Sequence, residues 1–481
     1  MRNMVGQGRE TSPGKGKEGM PTVSRGLTRR AALAMPLAAV AAATACRAGQ
    51  GPAGSPQPTQ GKLTGTFELW QPWPIDQPTH GGPVGWKQLM DAYNAKGGPK
   101  VDIVTPPGPE GFNAKLLSAF AAGTPPDCYQ VDGPGVPVFA GKGLAESLND
   151  LMARDKWDKS QLFAFSLDIM EWQGKYYAMM QHVDINFMWY NASHLEAGGM
   201  DPRNLPKTFE QLETLAVRLT RRSADGFEQV GAAPHLGTDY RVVFPQANGA
   251  KLLSADGRQV FFDAPEVVAA FEWIANVINR LGGWSAIDTW RANVAGASGS
   301  AANIFAIGRL SSFLNGNWQA DNIRRLNREL KFVVSPVPSG PSGPRDPANN
   351  VYGGGILICA TKGTPKLPLV WDFFKFTASK EGGLAVQRNT ADVSGNKEAA
   401  RDPEILNDPD TGLGRKETYP LFDQARYLRY LKSPLATEIG QDLLNAVTPY
   451  LQGREGNLTG RLKEANRQAQ LKLDEYWQQQ K

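Results

Sequence analysis

Short apolar runs alternate with stretches of amphipathic helical spacing along most of this chain. In order, the pattern predicts a strand at 67–70, a helix at 86–96, a strand at 101–104, a helix at 111–122 and a strand at 127–131. The second of these helices is stopped by the breaker run Gly123-Thr124-Pro125-Pro126. Strands that alternate with helices build a largely parallel sheet covered on both faces. The pattern therefore predicts an α/β fold.

Later elements carry their own start and turn signals. Thr208 and Gln211 have the spacing of a capping box, which predicts a helix beginning at that point. Asp263 followed by Pro265 predicts a second helix start, with Asp263 as the cap. An Asp-Gly pair within 252–261 predicts a hairpin, and the Pro, Ser and Gly residues of 335–348 predict a loop.

The N-terminus has the order of a secretory signal. Arg29-Arg30 precedes fifteen uncharged residues, a run too short to span a bilayer, and small residues follow. We interpret residues 1–45 as a signal peptide, of the twin-arginine type or of the general secretory type, that starts at Met1 or Met20. Cys46 follows Ala43-Thr44-Ala45, so it is either the lipidated first residue of a lipoprotein or simply the residue after the cleavage site.

Residues 46–62 are rich in Gly, Pro and Gln and are typical of a flexible tether. A tether directly after a cysteine favours lipidation of Cys46 and an anchor on the outer face of the membrane. Without lipidation the protein would be periplasmic or extracellular. Cys128 and Cys359 are then the remaining thiols, and the sequence leaves open whether they form a disulfide bond.

Composition and charge exclude several classes of protein. The 481 residues are 41% hydrophobic, which supports a sizeable core and argues against disorder. The formal net charge of +5 arises entirely within residues 1–45, so the rest of the chain is neutral. The net charge therefore gives no argument for a nucleic-acid partner.

The sequence motifs of common catalytic and cofactor sites are missing from the chain. The four histidines form no close-spaced metal pair, and no glycine-rich nucleotide loop of standard spacing is present. Gly296-Ala297-Ser298-Gly299 lacks the spacing of a nucleophile elbow. We therefore predict no enzyme activity, no metal and no cofactor.

Tryptophans stand where loops are predicted, and some of them follow strands. Trp70 and Trp73 end the first strand, Asp132 ends the third, and Trp290 and Trp318 come later in the chain. Ligands of open α/β sheets bind beyond the carboxyl ends of the strands. Aromatic faces beside carboxylate oxygens suit a polyhydroxylated ligand, whose C–H faces stack on rings and whose hydroxyls donate hydrogen bonds.

Several segments, in order, resemble one family. They are the helix and Gly-Thr-Pro-Pro-Asp turn at 115–127, the segment 174–191, Lys207-Thr208-Phe209-Glu210-Gln211-Leu212, the stretch from Phe305 to Asn315-Gly316-Asn317-Trp318, and 373–382. Phe209 replaces a usual Trp, and 310–313 departs from a small-residue run. Over 63–481 the chain resembles the extracellular solute-binding proteins that include maltose-binding protein and other sugar receptors of ABC importers.

The resemblance implies a two-lobe periplasmic-binding-protein-like fold. Each lobe would be a mainly parallel sheet flanked by helices, and a multi-segment hinge would join the lobes. Lobe 1 would comprise 63–181 and 352–395, and lobe 2 would comprise 186–350 and 400–481. A sugar would bind between the closing lobes of a monomer and pass to the importer's permease subunits. The predicted ligand-binding residues are Trp70, Trp73, Asp132, Asp184, Trp290, Trp318, Gly353 and Gly354, with His182 beside Asp184.

Other functions fit the same features. The same fold could bind a different polar solute, such as a polyol phosphate or a polyamine, or could serve as a ligand sensor for a membrane kinase. A secreted sugar-active enzyme ranks below these, because it would need two carboxylates at a defined separation across the cleft. The sequence does not identify which sugar is bound or how long its chain is.

Overall fold

The computed structural model describes residues 63–76, 81–106, 111–224, 226–295, 300–408, 415, 427–428 and 430–480. The predicted signal peptide, Cys46 and the whole of the predicted tether lie outside these residues. Among the residues that are described, no helix is both long and apolar enough to cross a membrane.

One mixed sheet runs through the described part of the chain. Its strands follow the order β2-β1-β3-β11-β6-β9-β8-β7, with β10 paired to β6 and β12 paired to β11, while β4 and β5 form a separate hairpin. The strands are β1 (Thr66–Trp70), β2 (Lys100–Val104), β3 (Cys128–Asp132), β4 (Glu171–Trp172), β5 (Lys175–Tyr176), β6 (Ala178–Asn191), β7 (Arg221–Ser223), β8 (Gly226–Ala232), β9 (Leu310–Gly316), β10 (Phe332–Ser335), β11 (Val351–Ala360) and β12 (Tyr427–Leu428).

Helices cover the sheet. They are α1 (Gly81–Ala95), α2 (Phe112–Ala121), α3 (Gly135–Gly141), α4 (Asn149–Arg154), α5 (Ala164–Met170), α6 (Ala192–Ala197), α7 (Phe209–Arg218), α8 (Tyr240–Ala247), α9 (Pro265–Arg280), α10 (Trp284–Ala295), α11 (Ala301–Ala306), α12 (Gln319–Leu326), α13 (Leu367–Thr377), α14 (Lys380–Gln387), α15 (Lys397–Ala400), α16 (Pro403–Leu406), α17 (Ala436–Leu451) and α18 (Leu458–Gln479).

The predicted α/β class is confirmed, with a more mixed sheet than the pattern suggested. β1 is parallel to β2 and to β3, and β8 is parallel to β9. The centre is antiparallel, because β11 runs against both β3 and β6, and β6 runs against β9.

Of the two helix caps predicted from the sequence, the one at Thr208 is confirmed and the one at Asp263 is wrong. The capping box at the start of α7 is present, with the Thr208 and Gln211 side chains each bonded to the other's backbone N–H. At α9 the N-cap is Ala264 and makes no side-chain bond, so Asp263 does not cap that helix. Pro265 alone marks the start, because a proline in the first turn loses no helical hydrogen bond.

The two cysteines project from opposite faces of the sheet. Cys128 on β3 lies opposite Ala360 on β11, whereas Cys359 lies opposite Tyr129. Residues directly opposite each other share a face, and successive residues alternate between faces. Cys128 and Cys359 therefore cannot form a disulfide bond within this sheet, and both are free and buried.

Strands β6 and β11 connect the two halves of the sheet. β6 pairs with β11 along Ala178 to Asn186 and then with β9 from Asn186 onward. The segment around Val393 runs beside them, since the Val183 N–H donates to the Val393 carbonyl at 2.7 Å. These crossing segments place strand ends from both halves around a common opening.

Candidate functional site

A cavity of about 920 Å³ lies where the crossing strands meet the strand ends. Its walls come from distant parts of the chain, because β3, β11 and β6 are neighbours in the sheet but not in sequence. The lining residues are Trp73, Gly81, Gly82, Asp132, Gly133, Pro134, His182, Asp184, Asn186, Asp239, Asn303, Trp318, Asn322, Arg325, Leu326, Tyr352, Gly354, Gly355, Ile356, Asp392 and Tyr430.

Strand β6 forms the floor of the cavity, and its residues alternate between the cavity and the core. His182, Asp184 and Asn186 line the cavity, while the intervening Val183 and Ile185 are fully buried. The period of two places the polar residues on one face of the strand and the apolar residues in the core on the other. Alternation within a buried strand thus delivers three polar side chains to the cavity.

Strand β11 provides the cross-strand partner of each of these polar residues. Tyr352 lies opposite Asn186, Gly354 opposite Asp184, and Ile356 opposite His182. A Cβ atom added at Gly354 would meet nothing within 4 Å, so the space over Asp184 is open. A ligand can therefore approach the Asp184 carboxylate over the bare backbone of Gly354.

His182 is the positive centre of this floor. Its Nε2 lies 3.4 Å from Asp184 Oδ1 and 3.9 Å from Asp392 Oδ1. Burial by itself lowers the pKa of His182, but the two carboxylates outweigh that effect and raise the pKa to about 9. The imidazole is therefore charged at neutral pH and holds Asp184 and Asp392 on either side of it.

Two more carboxylates face the cavity. Loss of hydration within the protein, together with the negative charges of Asp184 and Asp239, raises the pKa of Asp132 to about 6. The positive charge of His182 acts in the opposite direction. Burial also raises the pKa of Asp239, which accepts a hydrogen bond from the Tyr352 side chain. The carboxyl oxygens of Asp132 and Asp239 can accept hydrogen bonds from donors of a ligand.

Two tryptophans occupy the walls, and neighbouring residues hold each of them. The Trp318 ring lies against Gly316 at the end of β9, where any Cβ would overlap it. Trp73 is held through its backbone, since its N–H donates to Gln71 Oε1 at 2.8 Å and its carbonyl accepts from Thr105 Oγ1 at 3.1 Å. Both rings are half-buried and offer apolar surface beside the carboxylates.

The structure brings together most of the residues singled out from the sequence. Trp73, Asp132, Asp184, Trp318 and Gly354 all line the cavity, as does His182. Trp70, Trp290 and Gly353 are not among its lining residues. Cys46 lies outside the described residues.

The three predicted residues that do not line the cavity make other contacts in the fold. Trp70 is the last residue of β1, and its Nε1 donates to Glu68 at 2.6 Å. Gly353 pairs with Ile185 in the sheet, between the cavity-lining positions 352 and 354. Trp290 lies within α10 rather than in a loop, 5% exposed, with its ring edge-on to Phe227 at 6.1 Å.

Several lining residues did not emerge from the sequence. Asn186 could have been found, because polar and apolar residues alternate strictly from 182 to 187. Tyr352 is reached only through its pairing with β6. Asp239, Asp392 and Tyr430 lie in connections whose local sequence carries no signal for a site.

Chemically, the arrangement suits a neutral or cationic ligand with many hydrogen-bond donors. Carboxylate groups line the cavity, and aromatic rings provide flat apolar surface beside them. Among the described residues, no group of three or more His, Cys, Asp or Glu side chains is placed to hold a metal ion.

Sequence comparison finds similarity to bacterial solute-binding proteins. A profile described as bacterial extracellular solute-binding protein matches residues 88–412. A binding protein of Brucella abortus (strain 2308) is 21% identical over 297 residues, which are 62% of this chain and 69% of that protein. A binding protein of Brucella suis biovar 1 matches to the same extent.

Solved structures share the fold. CpMnBP1 with mannobiose bound superposes with a TM-score of 0.72 at 22% identity, over 84% of this chain and 99% of that chain. An ABC substrate-binding protein from Listeria monocytogenes in complex with cycloalternan gives 0.70 at 16% identity, over 86% and 99%. The GacH receptor of Streptomyces glaucescens, studied unliganded and with acarbose, gives 0.67 at 18% identity, over 85% and 98%.

Proposed function

The chain belongs to the family of bacterial extracellular solute-binding proteins, and from this membership we propose that it captures a sugar for an ABC-type importer. The observation that carries the proposal is the cavity between the crossing strands, with Trp73 and Trp318 beside the carboxylates Asp132 and Asp184. Its volume of about 920 Å³ is large enough for an oligosaccharide of a few units.

Recognition would divide between two kinds of contact. The tryptophan faces would stack on the C–H faces of sugar rings, and the carboxylates would accept hydrogen bonds from hydroxyls. Structural neighbours that carry mannobiose, cycloalternan and acarbose support a carbohydrate ligand. Because the family and these neighbours are binding proteins, we expect capture without turnover.

Delivery would depend on closure of the two lobes around the ligand. Contacts across the cleft form only when both lobes touch the same ligand, so the ligand shifts the equilibrium towards the closed state. We propose lobe 1 as residues 63–181 and 352–395 and lobe 2 as 186–350 and 400–481. The closed monomer would then dock on the permease subunits of the importer.

The first test is a thermal-shift screen of the purified protein against mono- and oligosaccharides. A sugar that binds only the folded state, present at 100 times its Kd, stabilises it by about 2.7 kcal/mol and raises the melting temperature. Shifts with polyamines or polyol phosphates alone would contradict the sugar proposal while leaving the family intact.

A matched pair of tryptophan variants sharpens this test. Trp318→Ala should weaken binding of the sugar roughly 10- to 100-fold, because it removes an aromatic wall of the cavity. Trp290→Ala should leave the affinity unchanged and reduce stability by roughly 3–5 kcal/mol, because that ring is buried in the core. Equal affinity losses in both variants, measured by calorimetry, would contradict the proposed site.

We further propose that Cys46 carries a lipid anchor after removal of residues 1–45. The lipid on Cys46 and the tether of residues 46–62 would keep the receptor near the importer on the outer face of the membrane. Cys46→Ser should move the protein from the membrane fraction to the soluble fraction. If the wild-type protein is already soluble, plain cleavage after Ala45 replaces this proposal.

A further inference from the structure

His235 is a buried histidine that the proposed sugar site does not use. It lies in the 3₁₀ turn Pro234–Leu236, between β8 and α8, and it is 7% exposed. Its ring packs against the half-buried ring of Trp284 at the start of α10, with the two ring centroids 4.3 Å apart. Both ring nitrogens are closed off from solvent, and neither has a hydrogen-bond partner among the described residues. A titratable ring therefore occupies an apolar position.

The charges near this ring give little support to a cation. Asp288 and Arg291 on α10 act on His235 with opposite effects, and they pair with each other at 2.8 Å. Strand β9, which also packs against the turn, carries no charged residue. None of the other titratable groups on the elements packed against the turn bonds to the ring; they are Asp239, Tyr240 and Arg241 at α8 and Glu266, Glu272 and Arg280 on α9.

Protonation therefore conflicts with the folded position of the ring. A buried cation without hydrogen-bond acceptors is costly, and the face of Trp284 compensates for less than the hydration that is lost. Burial lowers the pKa of His235 to about 3, whereas an exposed histidine has a pKa of about 6.5. The stability that the neutral ring contributes is thus complete above about pH 6.5 and is lost as the pH falls from 6.5 towards 3.

The turn that holds His235 leads directly to the cavity. Gly237 packs so closely on β9 that a Cβ atom would lie 2.7 Å from Leu314 Cβ, and the Thr238 N–H donates to the Leu314 carbonyl at 3.1 Å. Asp239 follows, lines the cavity and begins α8 with a left-handed backbone, at a φ of 49°. An aspartate keeps this conformation only while the surrounding contacts hold it. Displacement of His235 would therefore displace Asp239 as well.

We infer that His235 is an acid switch: when its ring is protonated, residues 234–247, the turn and α8, open and the wall of the cavity at Asp239 is lost. Mild acidity is enough, because the opened segment binds its proton as an ordinary histidine does. The switch does not depend on which solute the cavity binds. For the proposed receptor it would mean that ligand is held at neutral pH and released in acidic surroundings.

Hydrogen–deuterium exchange, measured by mass spectrometry on the whole protein at pH 7 and pH 5, tests the switch. After correction for the intrinsic pH dependence of exchange, the opening equilibrium of 234–247 in the wild type should rise roughly 25-fold from pH 7 to pH 5, because opening lets His235 take up a proton. His235→Phe keeps an aromatic ring against Trp284 but cannot be protonated. In that variant the equilibrium should stay within about 3-fold.

A second histidine provides the matched control. His194 lies on α6, and its Nδ1 is 2.9 Å from Ser311 Oγ, so this ring has a hydrogen-bond partner. His194→Gln should show the same rise in 234–247 as the wild type. His235→Leu places a different apolar side chain in the turn and should behave as His235→Phe does. If neither variant at 235 folds, confinement of the wild-type rise to 234–247 and the adjoining start of α10 decides the question.

Two results would overturn the inference. An equal rise in the wild type and in His235→Phe would show that another group drives the opening, since the titrating groups that the two proteins share, such as Asp321, cancel in this comparison. Unchanged protection of 234–247 in the wild type at pH 5 would show that no opening occurs. Neither result bears on the sugar screen at neutral pH, which tests the receptor proposal separately.

Discussion

At the scale of single residues, Asp321 is a buried carboxyl group whose pKa is raised by its surroundings. Its carboxylate accepts the Ala391 N–H at 2.7 Å and lies against the first residue of α1, Gly81. Burial, with Asp392 nearby, raises the pKa of Asp321 to about 7. The folded protein therefore binds this proton more tightly than the unfolded chain does.

This makes stability depend on pH with a definite sign. A raised folded-state pKa gives a contribution that is fully present below about pH 4 and is lost as the pH rises towards 7. Asp321→Asn removes the titration while keeping an oxygen for Ala391. Its stability relative to wild type should thus increase between pH 5 and pH 8, by roughly 1–4 kcal/mol.

Urea unfolding of both proteins across this pH range measures the difference. Asp91→Asn, exposed on α1, serves as the control and should follow the wild-type curve. Parallel curves for Asp321→Asn and wild type would contradict the assignment.

At the scale of elements, the glycines of β11 have different tasks although they are adjacent. Gly354 opens onto the cavity with nothing near a Cβ position. At Gly355 a Cβ would lie 2.6 Å from the His182 carbonyl oxygen and 2.8 Å from Met180 Sδ. Gly355 thus permits the close approach of β11 to β6, and Gly354 keeps space for a ligand.

Alanine at these two positions should affect the stability of the protein differently. Gly355→Ala should reduce stability by about 1–3 kcal/mol, because the carbonyl it meets belongs to the backbone and cannot move aside easily. Gly354→Ala should unfold like wild type, since its methyl group enters open space. Thermal denaturation of the two variants checks this, and equal stabilities would contradict the packing described here.

At the scale of the whole molecule, a side chain at the crossing ties three segments together. Asn317 follows β9, accepts the Ile185 N–H at 2.8 Å and donates to the Ala391 carbonyl at 3.1 Å. Ile185 lies on β6, and Ala391 lies on the segment beside it. With the lobe boundaries proposed above, bending between the lobes would pass through Asn317 and its two partners.

Closure should be visible in solution. Saturating the protein with the sugar identified by the screen should decrease the radius of gyration measured by small-angle X-ray scattering, because ligand contacts from both lobes favour the closed state. Trp318→Ala at the same sugar concentration should keep the radius of the free protein. Tight binding with an unchanged radius would show that capture does not involve closure.

The sequence by itself determined the elements and much of their chemistry. Periodicity located the first strands to within one residue and the first helices to within five residues, and the capping box located α7, because these signals act between residues that are close along the chain. Trp73 and Asp132 were predicted because they stand at strand ends, where ligands of α/β sheets bind. Trp318 was predicted from the segment Asn315-Gly316-Asn317-Trp318, which resembles the family. Trp290 was predicted from an expected loop position, but tertiary packing buries it within a helix.

Only the tertiary structure decided which residues meet. The sheet order places β11 between β3 and β6, so Gly354 faces Asp184 across about 170 residues of chain. Asp392 joins them because its segment runs along β6, a long-range pairing that no local pattern encodes. Local sequence sets the local backbone geometry, but which residues line a cavity depends on contacts between distant segments, and these form only when the chain is folded.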